Sequence, residues 1–357
     1  MRTATTVEPA GHFRETMDFA VEAEKLGLDV CFVAEAWGSD AVSALGYLAA
    51  VTHRMRLGSG IVQLGTRTPA AIAMSAMTLA ELSEGRFILG LGGSGPQVIE
   101  GLHGVPFARP LGRMRETVQI IRRIFAGEKV DFQGEHFQIP LPGGDARPMR
   151  LSMSPNEDIP IYLATLSPKM LRLTGEVADG WLGTSFVPEG AADAYFSHLA
   201  EGARISGRKL EDLDICQGAE VCFAADEEEL RTMVGSRKKE LAFSLGGMGS
   251  ATTNFYNAAY SRQGWSEVAA RVRARWLAGR RDDAAALVTD EMVLATTLIG
   301  TEPMVRERLQ VWQKAGVDTV RLYPAGATLA ARLDTLGRAI ELVREVSRSR
   351  TAAAAAE

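Results

Sequence analysis

Eight short apolar runs, each followed by a helical pattern or a long connection, are what most constrains the fold of this 357-residue chain. They fall at 4–7, 30–33, 56–62, 87–91, 160–163, 180–184, 215–223 and 319–323 and have strand character. After the first, Phe13, Met17, Ala20, Val21 and Glu24 recur at helical spacing until Gly27; further on, Met114, Val118, Ile121 and Phe125 do the same until Gly127. Strand alternating with helix eight times predicts an α/β fold, a closed (β/α)8 TIM barrel in which binding and catalytic groups sit where strands end. The alternative, an open doubly wound sheet, is the weaker fit. Its G-x-G-x-x-G turn is absent, because the first strand runs into Val7-Glu8-Pro9-Ala10-Gly11.

The even spread of glycine and charge predicts one domain over 1–350, with insertions at about 128–158 and 242–290 and a disordered tail at 351–357. In the first insertion Val130, Phe132, Phe137 and Ile139 alternate with polar residues around Gln133-Gly134-Glu135, the pattern of a small hairpin. The second contains Gly246-Gly247-Met248-Gly249 and Asn254-Phe255-Tyr256-Asn257, and is expected to form a long loop that shapes a pocket wall.

A net charge of −5, without a basic run or an aromatic-rich basic segment, argues against nucleic acid or an anionic membrane as partner. No window is apolar enough to span a bilayer, and no signal-peptide pattern opens the chain. Cys31, Cys216 and Cys222 sit in apolar runs without CxxC spacing and read as reduced, buried residues of a cytoplasmic protein. His12, His53, His103, His136 and His198 lack metal-ligand spacing, so no metal is implied. No nucleophile elbow appears, which leaves acyl transfer without support.

The stretch 57–97 carries the strongest functional signal. Two successive strands end in glycines, Gly58-Ser59-Gly60 and Gly90-Leu91-Gly92-Gly93-Ser94-Gly95, leaving bare backbone on which something flat and polar can rest. That pattern predicts a cofactor site.

With these residues in place, the chain resembles the bacterial luciferase-like superfamily of barrels over nearly its whole length. Within it, the chain is similar to the branch dependent on the deazaflavin coenzyme F420, typified by methylenetetrahydromethanopterin reductase. The resemblance rests on the order and spacing of Leu57-Gly58-Ser59-Gly60-Ile61, Arg67-Thr68-Pro69-Ala70, Leu82-Ser83-Glu84-Gly85-Arg86, Leu91-Gly92 with Gly95-Pro96-Gln97, Arg115-Glu116, Ser167-Pro168-Lys169-Met170 and Ala178-Asp179-Gly180. No single block is specific.

The resemblance implies a luciferase-like barrel with insertions, whose third strand bulges beneath the coenzyme ring at a non-proline cis bond, here Gly60–Ile61, with Val62 also in the site. It implies a phosphate site at Thr165, Leu166, Ser167, Lys169 and Met170. The residues suit this, since hydroxyls and free N–H groups open a helix there and Pro168 needs no donor, although an ordinary serine N-cap is the alternative. Gly92, Gly93 and Gln97 would line the pocket floor, Gly183 and Thr184 the mouth, and Arg67 and Lys169 would meet the acidic tail of the coenzyme.

Glu8, Glu35 and Trp37 would face the substrate as catalytic residues. Many relatives place a histidine where this chain has Ala36, and Glu8 is displaced by two residues from the reductase carboxylate. Glu8 can equally be a solvated rim acid, Glu35 a structural acid bonded to backbone or arginine, and Trp37 core packing. The expected activity is hydride transfer between reduced F420 and a small organic substrate, a carbonyl, imine or activated C=C. An FMN-dependent monooxygenase on the same scaffold is the alternative, and a flavin-storing binding protein is a third. A homodimer through 41–51 and 70–82 is implied as well.

Overall fold

The computed structural model describes residues 1–250 and 252–354, with side chains to residue 349. Of the tail expected at 351–357, residues 355–357 lie outside the described residues, and the last helix is Leu329–Ala354. The strands are β1 (Arg2–Val7), β2 (Val30–Val33), β3 (Arg56–Ser59), β4 (Val62–Gln63), β5 (Phe87–Gly92), β6 (Phe132–Gln133), β7 (Gln138–Ile139), β8 (Ile161–Ala164), β9 (Gly180–Leu182), β10 (Asp214–Phe223), β11 (Leu298–Gly300) and β12 (Thr319–Pro324). Parallel pairing runs β1-β2-β3-β5-β8-β9-β10-β12 and returns to β1, closing a barrel of eight staves with helices around it. Each of the eight expected runs contributes one stave.

Two departures from the expected staves have local causes. The third run is split, with β4 continuing it against β5. The short β11 is not anticipated, because three residues cannot display an alternation; it pairs with the far end of β10 at Val221–Phe223, beyond where β9 stops.

Side chains alternate between lumen and outer face. Ala4, Val30, Phe32, Ile88, Tyr162, Leu182 and Cys216 fill the lumen, while Leu57, Leu89, Leu163, Trp181 and Val320 point outward into the larger core beneath the helices. Cys31 and Cys216 are buried free thiols, whereas Cys222 is only half-buried, where β10 pairs with β11. Among the described residues no helix is long and apolar enough to cross a membrane.

The hairpin forms as β6 and β7, antiparallel with Phe132 opposite Ile139. Its turn is held by Glu116, whose carboxylate accepts the N–H groups of Glu135, His136 and Phe137 at 2.8–2.9 Å. The second insertion is not a loop but a set of helices, Glu227–Gly246, Phe255–Tyr260, Ser266–Leu277, Arg281–Ala286 and Asp290–Thr296. They enclose a small core of their own that includes Leu241, Tyr260, Val272 and Met292. It begins at Asp226, whose side chain caps the first helix by accepting from Glu228 and Glu229, earlier than the expected 242.

One corner accounts for Arg86 of the Leu82-Ser83-Glu84-Gly85-Arg86 block without a ligand. Arg86 donates to Thr52 Oγ1 and to the carbonyls of Ala49, Thr52 and Met55, closing the C-terminus of helix Ala41–Val51 onto β3. From the other side the buried Glu24 accepts the N–H groups of His53, Arg54 and Met55. Burial alone would raise the Glu24 pKa, but these three donors and the nearby Arg86 outweigh it and hold the carboxyl below its ordinary range. Its stabilising contribution is therefore full above the ordinary carboxylate range and is lost as the pH falls through the lowered folded value. Arg86→Ala should cost on the order of 3 kcal/mol, because it strands four acceptors at once. Chemical denaturation checks this; an unchanged midpoint would refute the assignment.

Candidate active site

The glycine-rich half of the barrel is built around a one-residue bulge. Gly58 pairs with Ile88 and Val62 with Leu91, so four steps along β3–β4 face three along β5. Within the bulge the Gly60–Ile61 peptide is cis. Ser59, fully buried, spans the interrupted ladder: its Oγ donates to Gly90 O and accepts from Gly90 N, both at 2.9 Å.

The neighbouring glycines are required by close approach. A Cβ on Gly90 would stand 1.9 Å from Ser59 O, on Gly58 2.6 Å from the Phe32 ring, and on Gly92 2.7 Å from the end of the Ile61 side chain. Gly93 differs, because a Cβ there would meet nothing within 4 Å and so opens onto free space. Phe32 thus covers Gly58, Ser59 O and Leu182 cover Gly90, and Ile61 covers Gly92, leaving Gly93 as the open stretch of backbone beyond β5. Val62 is buried, and Gln97, on the short helix Pro96–Ile99 beyond β5, is exposed.

Beyond β8, Ser167 precedes helix Pro168–Val177 with Pro168 at its first turn, and the Ser167 side chain makes no capping bond. The Thr165 hydroxyl is directed away from that opening, to Thr174 Oγ1 at 2.8 Å. Lys169 is exposed, Leu166 and Met170 are half-buried, and beyond β9 Gly183 is buried while Thr184 is exposed.

Two residues from the helical insertion roof this mouth, and sequence reasoning missed both. Arg262 donates to Leu166 O at 2.6 Å, and its Nε is buried with no partner. Gln263 accepts from Val187 N and donates to Ser185 O, Tyr195 Oη and Ala259 O at 2.7–3.0 Å. Their partners lie as much as 96 residues away in sequence, so no local spacing announces them. Gln263→Ala should cost about 3 kcal/mol by stranding buried groups on both sides, with faster proteolysis within 254–277 as the accompanying sign. Unaltered protection of that segment would show that the bonds do not hold the roof.

At the end of β2, Glu35 is committed to Arg67. The pair is bidentate, at 2.6 and 2.9 Å, and Glu35 Oε2 also accepts from Ala41 N at the start of helix Ala41–Val51. Of the open readings of Glu35, the geometry is that of an acid bonded to arginine and backbone. Gln63, buried beside the bulge, donates to the carbonyls of Glu35 and Ala36 and so fixes the turn that carries Trp37. Trp37 itself is 66% exposed and is no part of the core. Glu8 is exposed and approaches the same turn, since a Cβ on Gly38 would stand 3.1 Å from its Oε1. Glu8 and Trp37 thus meet at one rim.

Opposite the glycines, the ends of β1, β10 and β12 border a cavity of about 460 Å³ lined by Thr6, Glu8, Glu220, Arg237 and Tyr323 among others. Glu220 pairs with Arg237 of the insertion at 3.0 Å. The ends of β1, β10 and β12 thus form a polar wall, with Glu8 among the residues of the cavity beside it. Such a wall suits a small polar ligand.

Known proteins share this fold. The chain is 39% identical over 323 residues to a putative coenzyme F420-dependent oxidoreductase of Mycobacterium tuberculosis, covering 88% of this chain and 92% of that one. It is 29% identical to a 5,10-methylenetetrahydromethanopterin reductase of Archaeoglobus fulgidus, over 89% and 92% of the two chains. Among solved structures, the coenzyme F420-dependent tetrahydromethanopterin reductase of Methanopyrus kandleri superposes with a TM-score of 0.77 at 23% identity, covering 94% of this chain and 97% of that one. The profile of luciferase-like monooxygenases matches residues 1–319. A match over residues 1–319, together with the 39% identical relative, shows that this chain belongs to the luciferase-like family.

Proposed function

We propose that the protein is an F420-dependent oxidoreductase that moves a hydride between the reduced coenzyme and a small organic substrate. The observation that carries the reading is the one-residue bulge of β3–β4 against β5, pinned by Ser59 and followed by the open backbone of Gly93. The names of its relatives add the coenzyme: those that match over most of their length include F420-dependent enzymes.

When bound, the coenzyme supplies the hydride chemistry, and the chain supplies position, exclusion of water and protons. Gly60, Ile61 and Val62 would lie under the ring, with Gly92, Gly93 and Gln97 along its edge. Thr165 to Met170 would hold the phosphate through Ser167 and the unpaired N–H groups of the helix start. Arg67 is already neutralised by Glu35, so Lys169 and Arg262 are the better partners for an anionic tail. Gly183 and Thr184 would flank the mouth. Glu8, at the rim and without an ion pair among the described residues, is the residue we assign to proton transfer with the substrate, and Trp37 would cover it. Glu35 would act by positioning the Trp37 turn.

The exposed Tyr47, Met74 and Leu82, on helices Ala41–Val51 and Pro69–Leu82, support a homodimer through that face. The free cysteines fit a reducing cytoplasm. Reduced F420 and reduced FMN, offered separately with carbonyl and imine acceptors, test the activity: acceptor-dependent oxidation of F420 supports it, and acceptor-dependent turnover of FMN alone overturns it.

A further inference from the structure

The polar wall of the lumen contains a cation without a counter-charge. Arg321 of β12 is only 7% exposed and stands in register with Ala4 of β1 and Gly218 of β10, neither of which fills the space beside it. Its Nη2 donates to Gly183 O, and its Nε is buried with no partner. No carboxylate forms an ion pair with it among the described residues. The surrounding groups do not supply one, since Glu220 is taken by Arg237 and Asp214 by Arg2. Burial pushes the adjacent Cys216 thiol up to about 12, so it stays neutral.

Tyr323, two residues along the same strand, lies over Gly218, where a Cβ would stand 2.6 Å from Tyr323 Oη. Tyr323 also lines the 460 Å³ cavity, as does Thr6, whose Oγ1 is buried and unpartnered. An interior charge left unpaired is costly, and such groups persist where a ligand brings the opposite charge.

We propose that Arg321 and Tyr323 bind the oxygen of the substrate, so that the acceptor is a carbonyl compound, a ketone, aldehyde or enone, and not an imine. The inference rests on the hydride-transfer reading above. The carbonyl carbon gains a C–H bond by receiving a hydride from the reduced deazaflavin coenzyme, which is thereby oxidised by two electrons. The C=O π pair moves onto oxygen, Arg321 meets the resulting negative charge, and the Tyr323 O–H gives its proton to that oxygen and is reprotonated by Glu8, which lines the same cavity. For an enone the hydride goes to the β-carbon and the same oxygen carries the enolate charge, the proton ending on the α-carbon. Imine reduction places a positive iminium in the site before hydride arrives, and the guanidinium repels it.

The test compares wild type, Arg321→Gln and Tyr323→Phe as holoenzymes, with cyclohexanone, cyclohexenone and 2-methyl-1-pyrroline as acceptors. Coenzyme affinity is read by F420 fluorescence, and benzoate is the oxyanion probe in a thermal-shift titration without acceptor. The expected results are turnover of the carbonyl acceptors well above that of the imine, and a kcat loss of roughly 10²–10³-fold in Arg321→Gln with coenzyme affinity within about twofold. Benzoate should raise the Tm of wild type and not of Arg321→Gln. Faster turnover of the pyrroline, an unchanged kcat, or equal stabilisation by benzoate would overturn the proposal. If Arg321→Gln does not fold, Tyr323→Phe carries the same kcat comparison. If wild type oxidises F420 with none of the acceptors, the hydride-transfer reading fails, and the benzoate arm still decides whether Arg321 is an oxyanion site.

Discussion

Gly90→Ala is expected to destabilise the protein by about 3 kcal/mol, lowering its Tm by roughly 4 °C, and to abolish coenzyme binding. The added Cβ would fall 1.9 Å from the carbonyl oxygen of Ser59, a backbone atom that cannot rotate aside. Relief requires β3 and β5 to part, which breaks the two bonds between Ser59 Oγ and Gly90 that bridge the bulge. Gly93→Ala is the control. Its Cβ meets nothing within 4 Å, so stability should hold within about 0.5 kcal/mol, while affinity for a ring lying on that surface should fall. Calorimetry and a coenzyme titration on both variants separate the two effects. Equal stability for both would mean that the bulge does not depend on the missing side chain.

The second large effect is on turnover. Glu8→Gln should lower kcat by roughly 10²–10⁴-fold while leaving Tm and coenzyme affinity almost unchanged, because the amide keeps the shape of the carboxyl but transfers no proton. Glu35→Gln should do the reverse. It removes the negative partner of Arg67 and weakens the bond to Ala41 N, so Tm falls and the Trp37 turn loosens, with kcat and KM changing together. A large kcat loss at Glu35 with full activity at Glu8 would transfer the proton role from one acid to the other.

The barrel was legible because eight runs of similar length alternate with helices, and a period is a property of neighbouring residues. The split of the third stave was legible in part, since glycine at 58 and 60 marks a bend. What closes it is the Ser59 side chain, acting across 31 residues. Several blocks that carry the family resemblance prove to be scaffold: Arg86 closes a helix onto β3, Glu116 holds the hairpin turn, and Asp179 accepts from Ile161 N and Arg122. These residues hold the barrel together, and motif matching alone does not separate them from ligand-binding ones.

Arg67 and Glu35, assigned to different tasks from sequence, turn out to be each other's partner. Residues of the roof and of the polar wall, Arg262, Gln263, Arg321 and Tyr323, had no signal to offer. Each stands alone in its own segment and acquires meaning only from what the closed barrel sets opposite it.

The central claim is that the bulged end of β3–β4 and the open backbone at Gly93 hold a deazaflavin. Parallel equilibrium titrations of the purified protein with F420 and with FMN, followed by the fluorescence of each, test it most directly. Saturable quenching of F420, with FMN at least about tenfold weaker, is the predicted result. Saturable binding of FMN without any response from F420 would contradict the account.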